Sequence, residues 1–288
     1  MAITLEQPTV PRLDAALAAL REWQSDEAPM QLHPGDLGWF WRNGPAATAA
    51  AVRIWNRGDR VVAVGLLDGT NLLRVTAAPD QLRDEELADR IVADLADPAR
   101  GVLAAGKAIL EAPLVALLQD RLLEAGWVAD EEWAPHRLDL ADPVPEPGLR
   151  IGIAGPQLAP VRVAIHRASF EVSTFTPQSW QDMAAGPQYA DARCLVGYDA
   201  QDRAVAATTV WSAGAGRPGL IEPLGVHRDH RGHGHGREIT VAAAAVLRAL
   251  GSSSMIVCTP GSNAAGVGAY RSAGMRPFSR ARDLRRDG

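Results

Sequence analysis

Apolar residues in the first half of the chain recur at two periods. Leu13, Leu17, Leu20 and Trp23 lie three or four positions apart, the stripe of an amphipathic helix. Val52 to Trp55 and Val61 to Leu67 are short apolar runs around Asn56-Arg57-Gly58-Asp59, which predicts two strands joined by a hairpin turn. The turn accounts for the Arg-Gly-Asp triplet without an adhesion role. Leu72 to Thr76 predicts another strand. Leu87, Ile91 and Leu95 mark a helix, and Leu114 to Ala125 a further one that Gly126 stops.

The second half repeats this order. Ala159 to Phe170 reads as a helix with Pro160 in its first turn, and Arg193 to Tyr198 and Ala204 to Trp211 as paired strands around Asp199 to Asp202. Gly219 to Val226 is a further strand. Arg237 to Leu250 is a helix closed by Gly251, Ser254 to Cys258 a buried strand, and Asn263 to Ala273 a short helix closed by Gly274. Between the halves stands Asp142-Pro143-Val144-Pro145-Glu146-Pro147-Gly148, too proline-rich for a helix or a central strand. It predicts a stiff linker between a domain over 1–142 and another over 149–288. Setting Gly126-Trp127 against Gly274-Met275 places Leu73-Arg74-Val75 beside Leu224-Gly225-Val226, the mark of a diverged duplication.

The last strand before the long helix runs into His227-Arg228-Asp229-His230-Arg231-Gly232-His233-Gly234-His235-Gly236-Arg237. Alternating glycines let successive backbone N–H groups curl into one concavity, and such a nest at a helix N-terminus suits phosphate or pyrophosphate. The spacing is neither the dinucleotide fingerprint nor a Walker loop. His227, His230, His233 and His235 invite a metal reading, but no cluster of cysteines or carboxylates completes a ligand set, so no metal is expected.

Composition narrows the function classes. The 288 residues are 47% hydrophobic and 22% charged, with a formal net charge of −5. These values fit a folded chain and argue against a broadly basic nucleic-acid binder. Apolar runs such as Val241 to Leu247 are far short of the roughly 20 residues of a membrane helix, so no membrane partner is expected. The N-terminus has no secretory signal pattern, and the only cysteines are Cys194 and Cys258, which points to a reducing cytoplasm. Lys107 is the single lysine, which leaves little room for lysine catalysis.

The glycine loop resembles a known family. Arg231-x-x-Gly234-x-Gly236, preceded by Leu224 and Val226, is similar to the acyl-CoA-binding signature of the GNAT acyltransferases. Asn263, Tyr270 and Gly274 resemble a second signature of that family, with Gly266 for the usual Ala and Met275 for the usual Phe. The resemblance covers roughly residues 149–286. The whole chain looks like a tandem GNAT protein, an arrangement shared with mycothiol synthase. It implies an α/β (α+β) fold of two GNAT-like domains, each a mixed, mostly antiparallel sheet flanked by helices.

It also implies acetyl-CoA as donor. The segment Arg231, Gly232, His233, Gly234, His235, Gly236 and Arg237 would hold the pyrophosphate, and Leu224, Gly225 and Val226 would pair with the pantetheine arm. An N–H near Val226 would polarise the thioester carbonyl. Tyr270 stands at the family's general-acid position, against the alternative of a ring packed in the core. Glu222, four residues before Val226, shares its strand face unless Pro223 marks a bulge. It is a candidate base or ammonium-binding group, against a solvated strand carboxylate. Asn263 either contacts the donor or caps its helix. Cys258 is expected to be a small buried thiol.

The alignment places Asp80, Arg83 and Glu85 opposite Arg231, Gly234 and Gly236, and Leu122 opposite Tyr270. The first half is thus expected to be a degenerate copy without a phosphate loop, which departs from the mycothiol synthase pattern. Trp39-Phe40-Trp41 reads as core, or as a surface toward the interface or a ligand. Phe170 to Trp180 corresponds to the segment that lines the acceptor site in the family. The expected activity is N-acetyl transfer from acetyl-CoA to a primary amine of a small molecule, directly in a ternary complex. A non-catalytic acyl-CoA-binding sensor and, within the same class, a mycothiol-synthase-like or a protein N-acetyltransferase are the alternatives.

Overall fold

The computed structural model describes residues 1–288. The first half contains β1 (Ile3–Glu6), α1 (Leu13–Trp23), α2 (Pro34–Phe40), α3 (Pro45–Ala51), β2 (Val52–Arg57), β3 (Arg60–Leu67) and β4 (Leu72–Ala77). It continues through α4 (Glu85–Ala96), β5 (Ala108–Glu111), α5 (Leu117–Glu124), β6 (Val128–Trp133) and β7 (His136–Asp139). After the linker come β8 (Arg150–Ile153), α6 (Ala159–Ser169), α7 (Pro177–Ala184), β9 (Ala192–Tyr198), β10 (Ala204–Trp211) and β11 (Gly219–Val226). The chain closes with α8 (His235–Ala249), β12 (Ser254–Val257), α9 (Ala264–Ser272), β13 (Arg276–Pro277) and β14 (Ala281–Arg286).

The strands form two seven-stranded sheets, ordered β1-β2-β3-β4-β5-β14-β6 and β13-β7-β12-β11-β10-β9-β8. Each is antiparallel except for one parallel pair, β4 with β5 and β11 with β12. Both sheets are therefore mixed, mostly antiparallel and flanked by helices. Each carries an apolar cluster on either face. One face of the second sheet packs Leu195, Ile221 and Met255 against Ile239, Ala243 and Leu247 of α8. Such interdigitated burial is worth about 1.5–3 kcal/mol for each large side chain removed from water.

The division expected at the linker is modified by a strand exchange. β7, before the linker, pairs with β12 and β13 of the second sheet. β14, the last strand, inserts between β5 and β6 of the first, and its Leu284 joins the first half's core. Ranges of 1–142 and 149–288 therefore each surrender one strand to the other sheet. The reason is visible in the splayed strand pairs: an antiparallel ladder needs a partner at the open side of β5 and of β12, and the neighbouring half supplies it.

The halves also meet through α2. A Cβ on Gly35 would fall 2.5 Å from Trp211 Cβ, and one on Gly38 would overlap the Trp211 ring, so these glycines let the helix backbone press on β10. His33 caps the start of the helix in a capping box shared with Asp36. Its ring reaches across to the second half, where Nε2 donates to the Pro218 carbonyl (3.1 Å) while Nδ1 accepts from Gly35 N–H (2.9 Å). Ser254 donates to Asp26 (2.6 Å) and Arg21 pairs with Asp191 (2.6 Å) along the same seam.

Candidate active site

The parallel pair of the second sheet diverges. β11 and β12 are in register only at Gly219↔Met255 and Leu220↔Ile256, and beyond that β11 runs on alone to Val226. Its edge there is open. His227 N–H bonds back to β10 at Val205 O (2.9 Å), so strand alternation turns the N–H groups of Leu224 and Val226 toward the gap. Gly225 is needed for close approach, since a Cβ there would lie 2.6 Å from Ser169 Cβ at the end of α6.

The gap opens into a groove of about 560 Å³ whose lining includes Leu224, Val226, Gly232, Gly234, Asn263 and Tyr270. At its far end stands the N-terminus of α8, which begins at His235, two residues earlier than the apolar pattern suggested. Its N-cap, Gly234, has φ +81° and no side-chain cap, and Gly232 has φ +81° as well. The left-handed turns that L side chains avoid are what bend this loop into a nest, and the first amides of α8 are left for a ligand. The residues present therefore fit a pyrophosphate.

The arginines of the loop do something other than add free charge. Arg228 donates to the carbonyls of Arg167 and Ala168, and Arg231 to that of Ser169 (2.8 Å), all at the C-terminus of α6. Arg237 donates to Ser272 O (3.1 Å) at the C-terminus of α9. Each covers helix-end carbonyls and anchors the nest. His227 Nδ1 accepts from Asp229 N–H, and His233 and His235 stack on each other at 5.9 Å. No three His, Cys, Asp or Glu residues are grouped so as to hold a metal.

Asn263 caps α9: its Oδ1 accepts from Gly266 N–H (3.0 Å) and its Nδ2 donates to Thr259 Oγ1 (2.9 Å). It lines the groove in the same pose. Tyr270 is 6% exposed, packs at the edge of the core and lines the groove. Burial raises its phenol well above the ordinary range, so it stays protonated and has a proton to give. Burial likewise pushes the Cys258 thiol up, which leaves it a neutral, inert side chain.

At Glu222 the strand bulges beside Pro223. The register between β10 and β11 slips between Thr208 and Val210, so Glu222 and Pro223 together face Thr209. This bulge breaks the alternation that would put Glu222 on the face of Val226. Trp211 Nε1 satisfies the freed Glu222 carbonyl at 2.7 Å. The charges that act on its carboxyl come from the first half, from Asp36, Arg74 and Asp68. Burial, and then the charge of Asp36, hold it well above the usual carboxylate range.

Three residues of this cluster come from the first half and were not singled out in the sequence: Asp36 on α2, Arg74 on β4 and Glu111 on β5. Arg74 Nη1 lies 2.8 Å from Asp36 Oδ1, and its Nε lies 2.9 Å from Glu111 Oε2. The available signal was a lone arginine within the apolar strand Leu72 to Ala77. Of the aromatic triplet, Trp41 is core, whereas Trp39 crosses the interface to His166 (5.4 Å) and Phe175 (5.1 Å), with Arg42 stacked 4.3 Å over its ring.

The first half repeats this plan with the site closed. β4 and β5 stay paired one residue further, at Arg74↔Glu111, whose ion pair seals the splay. At α4, Asp84 occupies the N-cap, so it corresponds to Gly234, one residue beyond the sequence alignment. Its Oδ1 accepts from Leu87 N–H (2.8 Å) and pairs with Arg57 (2.8 Å). The place of an anion is thus filled by the chain's own carboxylate. Leu117 N–H bonds to Leu82 O (2.8 Å) across the gap, and only about 20 Å³ remains between α4 and α5. The strand register is also revised: Leu73, opposite Leu110, stands where Leu220 stands opposite Ile256, not beside Leu224. Leu122 does match Tyr270, since each carbonyl accepts from the residue after the closing glycine, Trp127 and Met275.

Comparison with known proteins agrees with this plan. Residues 163–275 match the model of the Acetyltransferase (GNAT) family. No curated protein matches the chain by sequence. Among solved structures, a GCN5-related N-acetyltransferase from Sphaerobacter thermophilus is 17% identical with a TM-score of 0.62, over 99% of this chain and 95% of that one. A tandem GNAT protein from the clavulanic acid biosynthesis pathway is 16% identical with a TM-score of 0.61, over 99% and 98%. The Saccharomyces cerevisiae N-myristoyltransferase, at 10% identity and a TM-score of 0.60 over 99% and 78%, shares the fold as well. Residues 163–275 of the second half thus form a GNAT acetyltransferase domain, in a chain that shares the fold of a tandem GNAT protein.

Proposed function

We propose that the protein transfers an acetyl group from acetyl-CoA to a primary amine of a small molecule, directly in a ternary complex. The observation that carries this reading is the contrast between the two helix N-termini, open at Gly234 and closed by Asp84. Acetyl-CoA supplies an activated thioester carbonyl. The amides of the 231–237 segment hold its pyrophosphate, and the free edge of β11 from Leu224 to Val226 pairs with its arm. The N–H of Val226 points toward the gap and stabilises negative charge on the carbonyl oxygen. Tyr270, kept protonated, gives the departing thiolate its proton. The first half binds no donor and walls the acceptor's side of the cleft with Asp36, Arg74 and Trp39. Two free thiols fit a reducing cytoplasm, and no helix is long and apolar enough to cross a membrane.

The test is release of free thiol from acetyl-CoA in the presence of a panel of primary amines: an amino sugar, a diamine, an aminoglycoside and a lysine-containing peptide. Amine-dependent thiol release with a small amine, and an N-acetylated product by mass, is the expected result. Donor binding without turnover on any amine would favour an acyl-CoA sensor. Turnover only on the peptide would make it a protein N-acetyltransferase.

A further inference from the structure

This inference rests on the acetyl-CoA reading and concerns what the first half does for the donor groove. Four rings meet across the boundary between the halves. Trp39, near the end of α2, lies 5.4 Å from His166 and 5.1 Å from Phe175, ring centre to ring centre. His166 lies 4.7 Å from Phe170 and 5.0 Å from Phe175. These are the spacings of packed aromatic pairs. Trp39 is pinned from its other side, where Arg42 stacks 4.3 Å over the ring and donates to the Trp39 carbonyl (2.9 Å). Its helix is fixed in turn, because Gly35 and Gly38 let α2 close on Trp211. His166 is buried and its Nδ1 meets no partner; burial, with Arg162 and Arg42 nearby, lowers its pKa to about 3. It stays neutral, and its ring serves packing.

His166 stands in the last turn of α6, and the end of α6 is where the donor site is fastened. Three carbonyls there hold the nest: Arg228 donates to Arg167 O (3.1 Å) and Ala168 O (2.9 Å), and Arg231 to Ser169 O (2.8 Å). Ser169 and Phe170 also line the groove. Both lie against β11, since a Cβ on Gly225 would fall 2.6 Å from Ser169 Cβ and 3.2 Å from Phe170 Cε2. One helix end thus supplies a wall of the groove, packs on the strand that pairs with the donor's arm, and ties down the loop that holds the pyrophosphate. The first half grips that helix one turn earlier, at His166.

We propose that Trp39 is a positioning residue for the donor: the half that binds no acetyl-CoA holds the end of α6, and through it the nest and the groove wall, in the pose that binds acetyl-CoA. Trp39 is not among the residues that line the groove. Its effect passes through His166 to Phe170 and to the carbonyls that Arg228 and Arg231 bond. The closed copy thereby serves donor binding without a ligand of its own. Loss of the indole frees His166 and the end of α6, and the donor then has to order them as it binds. That ordering is a cost taken from affinity.

The test uses full-length protein with 4-fluorophenylalanine at its four phenylalanines, Phe40, Phe170, Phe175 and Phe278. The Phe170 fluorine resonance is assigned by its loss in Phe170→Leu. Acetyl-CoA is expected to move it in the wild type. In Trp39→Ala it is expected to shift and broaden in the free protein, while Phe278, which packs beside Arg137, keeps its position. Calorimetry on unlabelled protein is expected to give an acetyl-CoA dissociation constant about tenfold weaker in Trp39→Ala, within the range of coupling through packed side chains. Trp39→Phe, which keeps a ring against His166, is expected to recover most of that loss. A Phe170 resonance indifferent to Trp39→Ala, an unchanged dissociation constant, or no recovery in Trp39→Phe would each overturn the proposal. If Trp39→Ala does not fold, Trp39→Leu, which fills the space without a ring, replaces it. Wild-type protein that binds no acetyl-CoA would defeat the donor reading and this proposal with it, whereas unchanged affinity in Trp39→Ala defeats the proposal alone.

Discussion

Replacing Gly234 with Asp would build into the second half the closure found in the first. Asp84 accepts from Leu87 N–H and ends the anion-binding capacity of α4; the carboxylate introduced by Gly234→Asp would do the same at Arg237 N–H. Space is no obstacle, since nothing lies within 4 Å of a Cβ at Gly234. The φ of +81° costs roughly 1–2 kcal/mol for an L residue, with Asp among the more tolerant. A side-chain cap returns about 1 kcal/mol, so the fold should change little in stability. Donor binding should change much more. The new carboxylate repels two pyrophosphate charges by at least about 1 kcal/mol each, even in a watery setting. It also occupies one amide, a loss of about 1 kcal/mol. Together, about 3 kcal/mol corresponds to a roughly 100-fold weaker dissociation constant. Calorimetric titration of acetyl-CoA measures this directly, with a thermal melt as the fold control. Gly234→Asn has the same shape without the charge and should fall between the two. Donor affinity unchanged in Gly234→Asp, in a protein that still melts cooperatively, would refute the assignment of the nest.

Two further outcomes follow from the side chains around the groove. Tyr270→Phe should lower kcat at least tenfold while the calorimetric affinity for acetyl-CoA stays within about twofold, the signature of a lost proton donor; equal turnover would leave Tyr270 a packing residue. His33 is fully buried and its pKa is lowered by that burial to about 4, against 6.5 unfolded. The unfolded chain then binds the extra proton first, so stability should drop as pH falls from 6.5 toward 4, by up to about 3 kcal/mol from this group. Urea denaturation over that range should show the drop, and His33→Asn, which keeps a helix-capping side chain, should make it shallower while the contribution of buried His166 remains; an equal slope in both would contradict this sign.

Much of the second half was legible because its chemistry is local. The 227–237 loop, its preceding strand and its following helix are contiguous, so spacing alone located the nest. Glu222 was located but its partner was not. The bulge at Glu222–Pro223 depends on register across β10, and Asp36 lies far away in the chain, on a helix positioned by Gly35 and Gly38 against Trp211. The strand exchange was invisible for a similar reason. β7 and β14 are short strands whose own sequences suit either sheet, and only the open sides of β5 and β12 decide where they pair. In the first half the aligned glycines gave the right helix equivalence, Leu122 to Tyr270. The loop before α4 differs in length from that before α8, and this moved the cap from Arg83 to Asp84.

The account's central claim is one donor site per chain, in the second half. Calorimetric titration of acetyl-CoA into the wild-type protein, read for stoichiometry, tests it most directly. One site per chain, roughly 100-fold weaker in Gly234→Asp, is the result the two helix N-termini demand. Two sites would mean that Asp84 yields its place at α4 to the donor, and no binding to the intact protein would contradict the acetyl-CoA assignment itself.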